Sequence, residues 1–148
     1  MTITSTAALI DDIEERGVYV ITHAAGLRDP DSRTSDGAQF ANWVRNDIVE
    51  TLRRLDGAEL DQLEDDPLSP FSDIMRTVGE AGWSSTYDYW RAFTDLQAYE
   101  LVDEHAEDVG AVTIDAGHTT SDIAHLGLSI AAERIITSIA AEVAKSRA

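Results

Sequence analysis

The segment of residues 120–145 limits the choice of folds more than any other part of the chain. Its apolar side chains recur at helical spacing, with Asp122 in the first turn and Lys145 in the last, as the helix dipole favours. They are Ile123, Leu126, Leu128, Ile130, Ile135, Ile136, Ile139 and Val143. The apolar arc is broader than a helix on a protein surface needs. We therefore predict a helix over 119–146 that either forms the centre of the core or packs a second face against a partner.

Residues 84–117, directly before this segment, can be interpreted in two ways. As a helix, Tyr89 and Phe93 lie on one face. As a strand, the aromatic residues share an alternating face, but charged residues interrupt it and many neighbours are poor strand formers. We favour a helix over 85–99, followed by a two-stranded ribbon over 101–115 whose strands are ELVDEH and GAVTIDA.

The part of the chain before this stretch is predicted to be mainly helical. Residues 1–37 contain an amphipathic helix, a short β-branched strand at Val18–Thr22 and a polar loop with Asp-Pro and Gly punctuation. Residues 38–100 form a helical body, and Ala38–Leu55 is its most regular helix. The pattern predicts one domain over 1–148 that is mostly α (α+β), with four to five helices and a small two-stranded ribbon.

Charge is the strongest feature of the composition. The chain has 28 acidic and 11 basic residues and a formal net charge of −17, and Lys145 is its only lysine. Such a charge opposes a compact state at low salt, whereas at about 1 M salt the Debye length falls to about 3 Å. An acid excess with little lysine resembles proteins of halophilic archaea and their viruses; high-GC actinobacteria and their phages are a second lysine-poor source. We expect a halophile-type organism, in which acidic runs are a solvated coat.

Two absences in the sequence bear on location. The chain has no cysteine, so neither a disulfide framework nor a cysteine-ligated metal is available. No uninterrupted apolar run reaches the roughly 18 residues that span a bilayer, and the N-terminus lacks a basic-then-apolar signal pattern. We expect no membrane contact and a location in the cytoplasm, or within a virus particle assembled there.

The element order over residues 69–145 resembles a winged helix-turn-helix domain, with two helices, a ribbon and a final helix. The segment DLQAYELV resembles the end of a recognition helix in that family, with Glu100 where the family usually has glycine. The matched apolar positions are Leu96, Leu101 and Val102. IDAG resembles the run that leaves the wing, with Asp115 replacing a threonine. The resemblance implies a DNA-binding transcriptional regulator that dimerises through its C-terminal helix.

Charge argues against DNA contact by such a domain. Phosphate binding needs several lysine or arginine side chains, but Arg91 is the only basic residue between Arg76 and Arg134. The predicted ribbon is strongly acidic. Molar salt screens the resulting repulsion and supplies no attraction. Nucleic acid is therefore an alternative partner that the charge disfavours.

Signals for chemistry are sparse. The run IDAGHTTSD resembles a C-terminal motif of a family of dinuclear metal proteins, which implies His118 as a ligand, with Asp115, Asp122 and His125 within reach. The competing interpretation is that His118 is an ordinary polar residue of a loop. The N-terminal histidine pair of that family is not found, since THAAG at 22–26 has one histidine. No Gly-x-Ser-x-Gly elbow and no phosphate loop occurs. We expect no metal, no cofactor, no catalytic residue and no enzyme activity, and we keep a metal-dependent hydrolase as the third hypothesis.

Aromatic residues are concentrated in residues 83–99. One helix cannot bury all of them against one core face, and Trp, Tyr and Arg dominate the hot spots of protein interfaces. Core packing of the aromatic residues and solvation of the loop arginines are the competing interpretations. The predicted partner-binding residues are Arg28, Arg33, Trp83, Tyr87, Trp90, Arg91, Tyr99, Ile135 and Ile139.

These observations favour a non-catalytic subunit that acts through protein–protein contact. We expect a homo-oligomer or a component of a larger assembly. A structural component of a virus particle, such as a head–tail connector or tail protein, would fit. The winged-helix regulator is the alternative from another class.

Overall fold

Every regular element that the structure describes is helical. The computed structural model describes residues 5–80, 86–105 and 120–147, and within these ranges the chain forms eight α-helices and no strand. The helices are α1 (Thr6–Glu15), α2 (Val18–Ala24), α3 (Asp36–Arg54), α4 (Gly57–Asp61), α5 (Ser72–Gly79), α6 (Thr86–Asp95), α7 (Tyr99–His105) and α8 (Thr120–Ser146). Short 3₁₀ helices span Gln62–Glu64 and Ser69–Phe71. The mostly α class predicted from the sequence is confirmed.

Helix α8 forms the centre of the core. It packs against α1, α2, α3, α5, α6 and α7, and its fully buried side chains include Leu128, Ile135 and Ile136. The buried apolar residues form one cluster that extends from Ile10 to Val143. Burying an aliphatic side chain of this size is worth about 1.5–3 kcal/mol. Of the two predicted alternatives for this helix, a position at the centre of the core therefore explains why its apolar arc is so broad.

Side-chain caps fix the starts of three helices. The Ser5 hydroxyl accepts a hydrogen bond of 3.1 Å from the backbone N–H three residues on and begins α1. The Ser35 hydroxyl begins α3 in the same way at 3.4 Å, three residues before the predicted start of this helix at Ala38. Asp56 and Glu59 form a reciprocal capping box at α4. Each cap contributes about 1 kcal/mol, so these starts follow directly from polar residues in the sequence.

The predicted strand at residues 18–22 is wrong, because Val18–Ala24 form helix α2. Val18, Ile21 and Thr22 are buried, and their spacing places them on one helical face that packs against α3 and α8. A β-branched residue costs a helix no more than about 0.7 kcal/mol, whereas burying valine or isoleucine is worth about 1.5–3 kcal/mol. Tertiary burial therefore outweighs the local strand preference.

The predicted ribbon over 101–115 is also wrong in its first strand. Tyr99–His105 form helix α7, and the second predicted strand lies outside the described residues. The helix buries Leu101 and Val102 and packs against α8, which accounts for its departure from the strand pattern. The described residues therefore do not support the two-stranded wing of a winged-helix domain.

The single helix predicted over 85–99 is divided between α6 and α7. The Ala98 N–H donates to the Phe93 carbonyl at 2.9 Å, and the Gln97 N–H donates to the Thr94 carbonyl at 3.1 Å. This pair of bonds is the Schellman arrangement that ends a helix. Gln97 has a φ of 51°, a left-handed conformation that costs a residue with a side chain about 1–2 kcal/mol. The usual glycine signal for such an end is missing from the sequence.

Length and composition alone would allow the segment Ile123–Ser146 of α8 to cross a membrane, since its mean hydropathy reaches 1.3. In this structure 61% of that apolar window is buried by the fold. Helices at the centre of globular cores pass the same test of length and composition. Packing inside the chain therefore accounts for the apolar character of α8.

Candidate interaction surface

Three aromatic rings form a continuous cluster where α6 meets α7, and its two outer rings are exposed. The Trp90 ring stacks on the Phe93 ring with centroids 5.3 Å apart, and the Tyr99 ring packs edge-on against Phe93 at 6.5 Å. Trp90 is 40% exposed and Tyr99 is 47% exposed, whereas Phe93 between them is buried. We call Trp90, Phe93 and Tyr99 the aromatic ledge. Among the described residues, the further exposed large apolar side chain is Val20 on α2.

Helix α8 supports the aromatic ledge from beneath. A Cβ atom at Gly127 would lie 2.5 Å from Cε2 and 2.7 Å from Cδ2 of Phe93. Glycine at this position therefore lets the Phe93 ring rest directly on the α8 backbone. The C-cap at Gln97 fixes the chain that leads into Tyr99. A surface held in this way loses little side-chain entropy when a partner covers it.

Asp95 fastens the preceding loop, residues 25–35, to the end of α6. Its carboxylate accepts hydrogen bonds from the Asp31 N–H at 2.9 Å, the Ser35 hydroxyl at 2.6 Å and the Gly37 N–H at 2.9 Å. A Cβ on Gly37 would overlap this carboxylate, so the close approach requires glycine there. The negative charge also lies at the N-terminus of α3, where the helix dipole favours it. One side chain thus joins the loop, α3 and α6.

Two of the arginines predicted to contact a partner lie beside the ledge. Arg28 lies 3.3 Å from Glu100, and Arg91 lies 2.7 Å from Asp36. Glu100 and Arg91 each follow a ledge residue directly in the sequence. The Arg28–Glu100 pair is exposed and contributes about 1 kcal/mol or less, so the Arg28 guanidinium can rearrange toward a partner. Arg91 is held more firmly, because the Asp36 side chain that it pairs with is only 13% exposed. Arg33 is exposed on the loop.

The other residues predicted to bind a partner lie elsewhere. Ile135 and Ile139 are 0% and 5% exposed, so the chain's own helices cover them, and the expectation that they form surface contacts is corrected. The sequence pattern predicts the apolar arc of α8, but it does not show how many helices of the same chain cover that arc. Trp83 lies outside the described residues. Tyr87 belongs to α6, and its side chain lies outside the described part of the chain.

The histidine-containing run at 114–122 was the candidate for a metal site. Asp115 and His118 lie outside the described residues, as does the side chain of Asp122. His125 packs its ring edge-on against Tyr89, with centroids 4.7 Å apart. Across residues whose side chains are described, no group of three or more His, Cys, Asp or Glu residues could hold a metal ion. The hydrolase hypothesis gains no support from this part of the chain.

Arg45 is a structural residue that sequence reasoning missed. It is 8% exposed, and its guanidinium donates to the carbonyls of Ile13 at 3.3 Å and Arg16 at 2.7 Å. Both carbonyls lie at the C-terminal end of α1; the Ile13 carbonyl also accepts from the Arg16 N–H, and the Arg16 carbonyl at the C-cap takes its partner from outside the helix. Burial lowers the pKa of Arg45. Its place on the buried stripe, four residues after Ala41 and three before Ile48, was the available signal.

Comparison with known proteins adds no further constraint on the function. No protein-family model, no curated protein and no solved structure matches this chain. Among the described residues, the aromatic ledge is a surface feature that core packing does not explain.

Proposed function

We propose that this protein is a non-catalytic assembly subunit that binds copies of itself or a larger protein complex through the aromatic ledge. The observation that carries the proposal is the exposure of Trp90 and Tyr99 on either side of a firmly held Phe93. Tryptophan and tyrosine are enriched at the centres of protein interfaces because they offer a large apolar area with few rotatable bonds. Arg28 and Arg91 beside the ledge supply polar groups suited to the rim.

The area of the ledge is sufficient for an anchor. An aromatic side chain presents about 150–250 Å², so the exposed fractions leave roughly 100 Å² on each of Trp90 and Tyr99 for a partner to cover. At about 25 cal/mol per Å², covering both rings is worth roughly 5 kcal/mol. Residues that contribute more than about 2 kcal/mol already count as hot spots. A stable complex needs about 800 Å² from each partner, so further contacts must surround this anchor.

The charge of the chain supports a high-salt setting for the assembly. Two copies that each carry −17 repel one another at low ionic strength. At about 1 M salt the Debye length of about 3 Å removes most of that repulsion. We therefore propose a halophile-type cytoplasm, or a virus particle assembled in one, where the protein would serve as a structural component such as a head–tail connector or tail protein.

Size-exclusion chromatography with light scattering in about 2 M KCl, where surface charges are well screened, tests the proposal. We expect wild-type protein to form a discrete oligomer and the double variant Trp90→Ser with Tyr99→Ser to have a smaller mass. Val20→Ser is the matched control, because it removes an apolar side chain that is 53% exposed on a different helix. This control should keep the wild-type mass, and circular dichroism should show that every variant remains helical.

Two results would contradict the proposal: a wild-type chain that stays monomeric at every concentration, or an oligomer that the double variant leaves intact. Duplex DNA added to a parallel run tests the alternative from another class. A dimer whose mass increases by bound DNA would favour the transcriptional regulator.

A further inference from the structure

The outward face of α8 carries a pattern that is complementary to itself in an antiparallel copy. Glu133, Thr137, Ala141 and Lys145 recur every four residues, so they share one face of the helix. All four are exposed or half-buried. When a second copy of the helix is reversed about the midpoint of this row, Glu133 lies opposite Lys145 and Thr137 lies opposite Ala141. We call these four residues the α8 stripe.

The α8 stripe is bordered by hollows on both sides. A hollow of about 370 Å³ on one side is lined by Leu63, Pro67 and Ala144, and a hollow of about 440 Å³ on the other is bounded by Ala24 and Ala25. The two small residues at the centre of the stripe line both hollows. Small side chains at this place allow another helix to pack at a short interaxial distance.

Polar groups on this face can be covered without leaving an unpaired donor. The Thr137 hydroxyl donates to the Glu133 carbonyl at 3.0 Å, and the Ser138 hydroxyl donates to the Ala24 carbonyl at 3.3 Å. A hydroxyl that is already hydrogen-bonded avoids the penalty of burying an unsatisfied donor. The centre of the α8 stripe is therefore suited to contact with protein.

The two ends of the stripe carry opposite charges. Glu133 and Lys145 are exposed, and neither makes an ion pair with a residue in the described ranges. Complementary charges at the contact offset part of the repulsion between two copies that each carry −17. A two-fold axis repeats every contact, so the antiparallel pair provides the Glu133–Lys145 contact twice. This complementarity favours a second copy of the chain over an unrelated helix as the occupant.

We infer that the α8 stripe is a two-fold interface between two copies of this chain, with their α8 helices antiparallel. The inference goes beyond the aromatic ledge to a second surface, and it rests only on the part of the proposed function in which copies of the chain associate. The row spans about 18 Å at about 1.5 Å per residue, and a crossing near −50°, the class in which the i±4n rows of two helices pack together, aligns the two stripes along their length. A strip of this length covers less than the roughly 800 Å² per partner of a standard interface. The pair is therefore weak by itself and gains strength when other contacts act together with it.

Exchanging the charges of Glu133 and Lys145 by mutation tests the inference. Sedimentation velocity over a wide range of protein concentrations, in about 0.5 M KCl to limit general repulsion, measures the dimer dissociation constant. Glu133→Lys alone and Lys145→Glu alone should each weaken association about tenfold, because both symmetry-related contacts become repulsive. The double variant should return to wild-type association because the two contacts are restored in exchanged form. Ala141→Tyr, at an exposed position in the middle of the stripe, should abolish the dimer while the helix content stays unchanged.

Cross-linking supplies an independent test of the antiparallel register. Since the chain has no cysteine, Thr137→Cys and Ala141→Cys each introduce a single thiol. When the two variants are mixed, the mixed disulfide should form in preference to either homodisulfide. The matched mixture of Glu133→Cys with Ala141→Cys should show no such preference.

A double charge variant as weak as the single ones, or an Ala141→Tyr protein that associates like wild type, would overturn the inference. If those results appear while Trp90→Ser with Tyr99→Ser still dissociates the oligomer, the proposed function stands and the α8 interface is rejected. If the α8 variants dissociate a dimer that the ledge variant leaves intact, the ledge proposal alone is rejected.

Discussion

Replacing Gly127 with alanine measures how closely α8 supports the aromatic ledge, because two effects of known size oppose each other there. Gly127 lies inside α8, where alanine is favoured over glycine by about 1 kcal/mol. The added Cβ would lie 2.5 Å from Cε2 of Phe93 and 3.2 Å from the Cβ of Ala98. Carbon atoms in contact normally lie about 3.5–4.0 Å apart. Helix propensity therefore predicts a more stable protein, and packing predicts a less stable one.

We expect packing to outweigh propensity at Gly127. The Phe93 ring is 3% exposed and is stacked against Trp90, so it cannot move aside without disturbing the ledge. Forcing an extra methyl group into a packed contact costs about 1–3 kcal/mol. Subtracting the gain of about 1 kcal/mol in helix propensity leaves a net destabilisation of up to about 2 kcal/mol. For a chain of this size that lowers Tm by as much as roughly 4–8 °C.

Thermal unfolding followed by circular dichroism at constant salt provides the measurement. Gly79→Ala is the matched control, because Gly79 also belongs to a helix and an added Cβ there meets no atom within 4 Å. The control should leave Tm unchanged or raise it, while Gly127→Ala should lower Tm and alter the near-UV signal of the Trp90–Phe93 stack. An equal increase in Tm for both variants would refute the close packing of α8 beneath Phe93.

Two further predictions concern the hydrogen bonds that Asp95 accepts from the loop and α3, and the net charge of the chain. Asp95→Ala removes the acceptor of three hydrogen bonds, so it should lower the free energy of unfolding in urea by about 3 kcal/mol. Asp95→Asn keeps one acceptor oxygen and should lower that free energy by about half as much. Equal losses for the two variants would argue against a hydrogen-bonding role. Raising KCl from about 0.1 M to about 1 M should raise Tm, because screening relieves repulsion within a chain of charge −17. A variant with Glu15→Gln, Glu64→Gln and Asp65→Asn, all exposed, should gain less from salt, and a Tm that falls with salt would contradict the argument.

The helices whose signals are local could be predicted from the sequence. The apolar stripe of α3 and the hydroxyl group of Ser5 specify an element and its start without reference to the rest of the chain. Helix α2 could not be predicted in this way, because Val18 and Ile21 prefer a strand locally and become helical through burial against α3 and α8. The break after α6 was missed for a related reason. Gln97 adopts a left-handed conformation that glycine usually marks.

The residue types in the sequence indicated part of the candidate surface, whereas the exposure of the other predicted residues depends on where the fold places them. Exposed aromatic side chains such as Trp90 and Tyr99 could be expected, because the aromatic residues in this stretch exceed what one helix face can bury. Ile135 could not be assigned correctly, since a broad apolar arc looks the same in the sequence whether it is covered by this chain or by a partner. Asp95 is one of 28 acidic residues, so nothing local distinguishes the carboxylate that latches the loop from those that face water.

The acidic coat gives the two proposed contact surfaces their significance. Where every copy carries −17, general repulsion opposes association at low salt, and the ledge and the α8 stripe are the two surfaces proposed to overcome it. A two-fold interface by itself ends at a dimer, because each surface is used once by its own symmetry mate. A second surface on the same chain lets dimers join into a ring or a filament. The mass of the wild-type assembly therefore limits the cases: a dimer is what the two-fold α8 contact alone allows, and a larger discrete particle requires either both surfaces or a head-to-tail contact through the ledge.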